Sequence, residues 1–307
     1  MKPKICVLAD VKGWAWDRKA QQYARYLSDE FDVRVHHQRD NLPAEWDFDL
    51  VHCFEVSQTG HVPQGYWQSN HACSDVLCER QGKLVAGMTA HVWPTWGVER
   101  VREWASRCDA LHGNSVLLAN EMRQFHERVF YTPNGVDADF WQRTTPRDLD
   151  FIACHVGKPN PRKGAHMIIE ACERAGIPLL LCQRTSHIAI PQERLRDEFY
   201  SRAWVQITMS DMDGTPNPML EAAACSVALI STRIGNMPEF IDNGHGNAPG
   251  ILVERDADAL AAALSWCLSN RNHVLEMGHE ARETVLRDWT WAKQCEHVRQ
   301  MWRAVLA

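Results

Sequence analysis

The chain contains 307 residues, carries a formal net charge of -6, and is 45% hydrophobic and 23% charged. This length fits one large α/β domain or two smaller domains, and the composition is that of an ordinary soluble globular protein. The acidic balance provides no global basic field for binding nucleic acid or an anionic membrane, although a local basic groove remains compatible with it.

Metal, disulfide and targeting signals are missing from the sequence. The 11 cysteines are scattered without a C-x-x-C pair, and the 15 histidines form no H-E-x-x-H motif. We therefore expect buried, reduced thiols rather than disulfides or zinc sites. The N-terminus lacks the apolar region of a signal peptide, and no apolar run reaches the length of a membrane span. These features predict a cytoplasmic protein with no metal and no membrane span.

Short apolar runs alternate with helical patterns in the first part of the chain, which predicts a parallel sheet covered by helices. An amphipathic helix is predicted over 17–28, because Ala20, Tyr23 and Leu27 recur on one face. The predicted strands of this part are 5–9, 31–35, 48–54, 84–88, 110–113 and 129–131.

The same pattern restarts after a segment rich in turn and charged residues at 143–148. We therefore predict an α/β protein with two Rossmann-like domains, at residues 1–142 and 148–288. The last predicted helix, 291–306, is amphipathic, and its expected buried positions are Cys295, Val298, Met301, Trp302 and Val305. The other predicted elements are strands at 150–156, 178–182, 204–208 and 227–231, and helices at 165–175 and 256–269.

Asp213 and Glu221 bracket a loop rich in Gly, Pro and Asn that runs into a helix of small residues. The N-terminus of a helix presents unpaired N–H groups and a positive dipole end, which suit a phosphate. Carboxylates beside a phosphate repel it and are better suited to accept hydrogen bonds from hydroxyls. A phosphate flanked by hydroxyl-rich groups describes a nucleotide sugar. The alternative is an ordinary helix start with an exposed Asp and an exposed Glu.

A second cluster follows the first strand of the second domain, where Gly157 is followed by Lys158, Arg162 and Lys163. These cations precede a helix N-terminus, where the dipole disfavours them, and a bound anion explains their presence. The order of residues excludes a P-loop, since Gly164 follows Lys163 rather than preceding it. The alternative is a solvated basic turn.

Aromatic and basic residues follow predicted strands of the first domain, where ligands bind in open α/β sheets. Aromatic faces there can stack on a sugar or a base, whereas the alternative is a helix entry packed on tryptophan. His52 and Glu55, near the end of another strand, are secondary candidates. The primary candidates for the acceptor side are Gly13, Trp14, Trp16, Arg18 and Trp93.

Several separated segments resemble the retaining family-four glycosyltransferases of the GT-B fold. The stretch from Asp213 to Glu221 resembles the family's E-G-x-x-N-x-x-x-E-A motif at identical spacing. Gly157-Lys158 with Lys163-Gly164 is similar to its basic phosphate-binding turn. Thr132-Pro133-Asn134-Gly135-Val136-Asp137 matches its P-N-G-V-D segment, and Thr89-Ala90-His91 resembles its T-x-H. The resemblance covers about residues 84–306, and the first part of the chain matches only in pattern.

This resemblance implies the GT-B architecture, with two Rossmann-like domains facing across a cleft and the final helix, 291–307, returning to the first domain. The acceptor is expected on the first domain and the nucleotide-sugar donor on the second. The implied reaction transfers a sugar from a nucleotide-diphosphate donor to an acceptor hydroxyl, with retention and without a metal or other cofactor. We expect a UDP-sugar as the donor and a monomer or weak dimer.

The resemblance also implies residue roles. Lys158 and Lys163 bind the donor diphosphate, Asp213 bonds to sugar hydroxyls and Glu221 to the ribose. His91 contacts the transferred sugar, although a structural strand-end histidine is the local alternative. Further donor contacts are expected from Gly157, Thr215 and Asn217.

Two departures from the family bear on the substrate. Lys158 replaces the usual Arg and gives up bidentate phosphate binding, and Asp213 is one methylene shorter than the usual Glu. The acceptor stays open between a glycan, a lipid-linked sugar, a small molecule and a protein. One alternative function is a glycosyltransferase acting on hydroxylated bases of DNA, and another is a non-catalytic sugar-nucleotide or glycan-binding module.

Overall fold

The computed structural model describes residues 1–37, 47–59, 82–183, 190–244 and 248–307. Within these ranges the chain forms two compact units, one of Met1–Asn134 with Trp291–Ala307 and the other of Gly135–Thr290. Each unit contains one sheet of parallel strands flanked by helices. The predicted pair of Rossmann-like α/β folds is therefore confirmed.

The sheet of the first unit has the strand order β2-β1-β3-β4-β5-β6, and each neighbouring pair is parallel. Its strands are β1 (Lys4–Ala9), β2 (Asp32–His37), β3 (Leu50–Cys53), β4 (Lys83–Met88), β5 (Ala110–Gly113) and β6 (Val129–Tyr131). Its helices are Ala15–Leu27, Trp93–Trp96, Val98–Ala105, Val116–Met122 and Trp291–Leu306, with a 3₁₀ turn at Val56–Thr59.

The final helix packs on this first sheet and completes its core. The side chains predicted to be buried in it are buried: Cys295, Val298, Met301, Trp302 and Val305. Arg299 fixes the helix by bonding to Asp29 at 3.0 Å and to Glu30 at 2.9 Å. The apolar stripe thus supplies burial, and the arginine sets the position of the helix against the end of the first helix.

The sheet of the second unit has the order β11-β10-β9-β7-β8, again with parallel pairs. Its strands are β7 (Ala153–Gly157), β8 (Leu179–Gln183), β9 (Val205–Thr208), β10 (Ala228–Ser231) and β11 (Gly250–Leu252). Its helices are Ala165–Ala175, Gln192–Arg194, Asn217–Ala224, Met237–Ile241, Ala257–Ser269 and Arg271–Thr284, with a 3₁₀ turn at Pro161–Lys163 and π-type turns at Leu195–Tyr200 and Val285–Trp289.

The second unit begins at Gly135, earlier in the chain than the predicted linker at 143–148. The linker segment packs into this unit, because its arginines satisfy backbone carbonyls there. Arg147 donates to the carbonyl oxygens of Ala203 at 3.1 Å and Ser226 at 2.8 Å. The charges that suggested an exposed linker instead serve as partners for loop carbonyls.

The cysteines of the described ranges are buried, as expected; Cys73 and Cys78 lie outside the described residues. Of the helices in the described ranges, none is both long and apolar enough to cross a membrane.

Candidate functional site

The basic turn after β7 is held by a side-chain hydrogen bond and by a glycine. The Asn160 side chain accepts a hydrogen bond from the backbone N–H of Arg162 at 2.9 Å and so closes the turn. Gly164 then enters the next helix with a φ of +69°, and a Cβ there would lie 2.4 Å from the carbonyl oxygen of Met209. The turn is therefore fixed against the end of β9 by a glycine that no other residue can replace without displacement.

Two cations of this turn contact carboxylates of the loop that follows β9. Lys163 Nζ forms an ion pair with Asp213 Oδ2, with side chains 25% and 19% exposed. Arg162 Nε lies 3.3 Å from Asp211 Oδ1, whereas Lys158 is exposed. The structure thus brings together Lys163 and Asp213, the two residues that the sequence assigned to adjacent parts of one donor.

The loop after Asp213 is held by a second glycine. Gly235 has a φ of +50°, and a Cβ there would lie 2.1 Å from the carbonyl oxygen of Gly214. Asn236 donates from its backbone N–H to the same oxygen at 3.1 Å and from Nδ2 to Thr215 Oγ1 at 3.0 Å. The segment of Gly235 and Asn236 therefore sets the geometry of the carboxylate loop.

The helix Asn217–Ala224 begins directly after this loop, with no side-chain cap and with a proline in its first turn. Its backbone N–H groups and dipole therefore favour an anion at this end. Glu221 lies within the helix, is 8% exposed, and accepts a hydrogen bond at 2.9 Å from the hydroxyl of Tyr200. The sequence pointed to Glu221 but not to Tyr200, because Tyr200 lies outside the motif that contains Glu221.

His155 is a further neighbour that the sequence did not single out. Its Nδ1 pairs with the carbonyl oxygen of Ile207 at 2.9 Å, and its ring lies beneath Gly157, where a Cβ would be 2.7 Å from Nε2. Burial lowers the pKa of His155, and the charge of Lys163 lowers it further. The ring is therefore neutral near neutral pH and explains why the turn starts with glycine.

In the first unit, His91 and Trp93 share one carboxylate. His91 Nδ1 lies 2.6 Å from Glu121 Oε2, and Trp93 Nε1 donates to the same oxygen at 2.9 Å. The His91 side chain is 37% exposed. Glu121 thus orients both residues. The sequence could not show this, because Glu121 belongs to a different element, the helix Val116–Met122.

The candidate acceptor-side residues in the loop after β1 differ in how far they are exposed. Gly13 has a φ of +82° and donates its N–H to Asp17 Oδ2 at 2.7 Å, which closes the entry to the first helix. Trp14 is 44% exposed and Arg18 is also exposed. Trp16 is half-buried and contacts Phe54 with ring centroids 6.0 Å apart. Trp14 therefore offers the larger aromatic surface of the two tryptophans.

His52 is not a cleft residue. It lies inside β3, is fully buried, and accepts a hydrogen bond at 3.1 Å from Trp302 Nε1 of the final helix. Burial holds its pKa well below the ordinary value. The sequence predicted a strand over 48–54, close to the observed Leu50–Cys53, but could not show that its histidine contacts the final helix.

No group of three or more His, Cys, Asp or Glu side chains within the described ranges is arranged to hold a metal ion. The groups that the second unit does bring together are a lysine, two glycine-shaped turns, an uncapped helix start and two carboxylates. This set can neutralise a phosphate and accept hydrogen bonds from hydroxyls.

The two parallel-sheet units and this site define the GT-B class of glycosyltransferase folds. Residues 179–270 match the family described as Glycosyl transferases group 1. The chain is 25% identical over 228 residues to the alpha-maltose-1-phosphate synthase of Mycolicibacterium smegmatis. This alignment covers 59% of this chain and 58% of that protein. A segment of 82 residues is 33% identical to the GDP-mannose-dependent alpha-(1-6)-phosphatidylinositol monomannoside mannosyltransferase of Mycobacterium tuberculosis. The aligned segment covers 26% of this chain and 20% of that protein.

Solved structures give the same fold over nearly the whole chain. The sucrose-phosphate synthase of Thermosynechococcus elongatus is similar with a TM-score of 0.77 and 16% identity over 99% of both chains. Anabaena HepE, solved in complex with UDP and glucose, is similar with a TM-score of 0.72 and 13% identity over 98% of this chain and 100% of its own. The GT-B fold expected from the sequence is confirmed, and the match to Glycosyl transferases group 1 at residues 179–270 supports the resemblance.

Proposed function

We propose that this protein is a glycosyltransferase that moves a sugar from a nucleoside diphosphate sugar to an acceptor hydroxyl. The observation that carries the proposal is the ion pair between Lys163 and Asp213, beside the uncapped start of the helix Asn217–Ala224. A cation, a helix N-terminus and a hydroxyl acceptor at one place match the diphosphate and the sugar of such a donor.

The reaction breaks the bond between the anomeric carbon and the diphosphate oxygen, which leaves with the bonding electrons. A bond forms between that carbon and the acceptor oxygen, and the hydroxyl proton passes to the departing phosphate. Lys163 and Lys158 neutralise the charge that develops on the leaving group, and the N–H groups around Thr215 and Asn217 add to this stabilisation. The protein needs to supply no nucleophile, and we propose retention at the anomeric carbon.

The lysines also support independence from a metal, since they provide positive charge where a divalent cation would act. We propose a UDP-sugar as the donor, with Asp213 bonding to the sugar and Glu221 to the ribose. The second unit then binds the donor, and the first unit holds the acceptor, for which Trp14 is a candidate contact. We propose that His91 contacts the transferred sugar.

The experiment is a donor screen by thermal shift with UDP-, GDP- and ADP-sugars, followed by an assay of donor hydrolysis and transfer in the presence of EDTA. A bound donor raises the melting temperature by an amount that increases with the ratio of its concentration to its dissociation constant. Lys163→Ala should abolish both the shift and the turnover, whereas Lys83→Ala, an exposed lysine paired with Asp109, should leave both unchanged.

Three other results are informative. A melting shift without turnover indicates a non-catalytic sugar-nucleotide-binding module, and transfer only to duplex DNA with hydroxymethylated bases indicates DNA modification. If no nucleotide sugar changes the melting temperature, the proposed function is wrong.

A further inference from the structure

Two carboxyl groups of the first unit, one of them that of the secondary candidate Glu55, lie at neighbouring strand ends. Strands β1 and β3 are paired in parallel, with Leu8 opposite Cys53. Asp10 and Glu55 each follow these paired residues by the same number of positions. Because the carboxyl ends of parallel strands meet at one edge, both side chains emerge at the same edge of the sheet.

The position of Glu55 relative to β1 is fixed by Gln58. The Gln58 Oε1 accepts a hydrogen bond at 2.8 Å from the backbone N–H of Glu55, and its Nε2 donates to the carbonyl oxygen of Leu8 at 3.1 Å. Gln58 is itself 1% exposed. One buried amide therefore ties the end of β3 to the end of β1, so that Glu55 is preorganised beside the residue that follows β1.

Each of the two carboxyl groups has an oxygen that lacks a donor. Glu55 is 2% exposed, and Thr89 Oγ1 lies 3.5 Å from its Oε2, whereas its Oε1 has no hydrogen-bond partner in the described structure. Asp10 Oδ1 is likewise buried without a partner among the described residues. Leaving a buried acceptor unsatisfied costs about 1–3 kcal/mol. Two such oxygens at one sheet edge indicate that a ligand supplies the donors.

The charge state of the pair selects the kind of ligand. Burial raises the pKa of Glu55 to about 8 and also raises the pKa of Asp10. At neutral pH Glu55 is therefore mostly a neutral acid, which can both donate and accept a hydrogen bond. An anion would be repelled by Asp10, whereas a hydroxyl matches a donor–acceptor pair. The exposed ring of Trp14, in the loop after the same strand as Asp10, adds a face on which a sugar ring can stack.

We propose that Asp10 and Glu55, steadied by Thr89 and Gln58, form a hydroxyl-binding subsite for a polyhydroxylated ligand such as a sugar. This inference rests on the proposed function in one respect, because the sugar bound there is taken to be the acceptor of the transfer.

The test measures sugar binding apart from donor binding. Saturation-transfer NMR with methyl α-D-glucopyranoside gives the affinity of the wild-type protein in the absence of nucleotide, and calorimetry gives the affinity for UDP. We expect Asp10→Ala and Glu55→Leu each to weaken glucoside binding by about tenfold or more, which corresponds to about 1.4 kcal/mol. Glu55→Gln, which keeps a donor and an acceptor, should stay within about threefold of wild type.

The matched control is Glu99→Gln, which changes an exposed carboxylate of the same unit and should have no effect. Melting curves identify a variant that fails to fold, and the result is then decided by whichever of Asp10→Ala and Glu55→Leu is folded. The subsite is wrong if the wild-type protein does not bind the glucoside, or if folded Asp10→Ala and Glu55→Leu bind it as wild type does. A wild-type protein that binds the glucoside but not UDP supports the subsite and contradicts the proposed donor.

Discussion

The ammonium group of Lys163 pairs with the carboxylate of Asp213, and this pair joins the basic turn after β7 to the loop after β9. Both side chains are partly exposed, so the pair contributes little to stability, on the order of 0–1 kcal/mol. Its chemistry is therefore more consequential than its energy, since the same two groups are the ones that a nucleotide sugar would contact.

Replacing Asp213 tests this separation of roles. We expect Asp213→Asn to change the free energy of unfolding by less than about 1 kcal/mol and to lower turnover substantially, because a charged hydrogen-bond acceptor for the sugar is lost. Asp213→Glu keeps the charge with a longer reach and should alter the ranking of donor sugars. Denaturant unfolding and a donor panel measure the two effects. A large loss of stability in Asp213→Asn would show that the pair is structural instead.

The two glycines at the ends of the helix Ala165–Ala175 offer a matched comparison. Both have left-handed backbones, with φ of +69° at Gly164 and +64° at Gly176, but only Gly164 has an atom within 4 Å of an added Cβ. Gly176→Ala should cost about 1 kcal/mol from backbone strain alone. Gly164→Ala adds the clash with Met209, for a loss of about 2–4 kcal/mol, and should weaken UDP binding. Equal losses of stability would contradict this account.

Lys19 gives a dependence of stability on pH in the alkaline range. It is 3% exposed, lies 5.6 Å from the ring centroid of Phe54, and burial lowers its pKa from 10.5 to about 7. The unfolded chain therefore binds more protons than the folded one between these pH values, and stability rises with pH across that window. Lys19→Met should raise the free energy of unfolding by about 1–3 kcal/mol at pH 7.

That gain in Lys19→Met should shrink towards pH 10.5, since the wild-type penalty disappears there. Urea unfolding at several pH values compares the two proteins. A gain that does not change with pH would mean that Lys19 keeps an ordinary pKa.

Glu55 should make the free energy of unfolding fall as the pH rises, the opposite of Lys19, and in a lower range of pH. Its pKa is raised from 4.5 to about 8, so the folded state holds a proton that the unfolded state has released. The contribution of this proton to the stability of the folded state is complete below pH 4.5, and it is lost as the pH rises to about 8. Glu55→Gln should remove this dependence, so that the difference in unfolding free energy between variant and wild type grows in favour of the variant as pH rises. Parallel curves for the two proteins would refute the assignment.

The sequence predicted the fold, and it pointed to candidate donor-side residues, because the signals for both are local. Apolar runs separated by helical patterns reveal parallel strands, and the helix stripe ending in Val305 predicted which side chains are buried. The carboxylates at Asp213 and Glu221 belong to one short segment, so their spacing could be recognised without a structure.

The remaining partners could not be predicted, because they are distant in the chain and have common residue types. Three contacts became visible only in the assembled structure. They are the hydrogen bond from Tyr200 to Glu221, the contact between Glu121 and His91, and the bonds by which Gln58 connects two strand ends. The linker prediction departed from the observed division for a related reason. A run of charged residues indicates exposure, but the arginines at 143 and 147 are used to satisfy carbonyl groups.

The final helix has a consequence for the order in which the protein is made. Its Trp302 packs against Phe31 and bonds to His52, near the start of the chain. A ribosome therefore releases all of the second unit before the first can close its core, although domains commonly fold in order of synthesis. Until the residues up to Val305 have been synthesised, the earliest strands lack the helix that covers one of their apolar faces, and such an exposed face favours aggregation of the nascent chain.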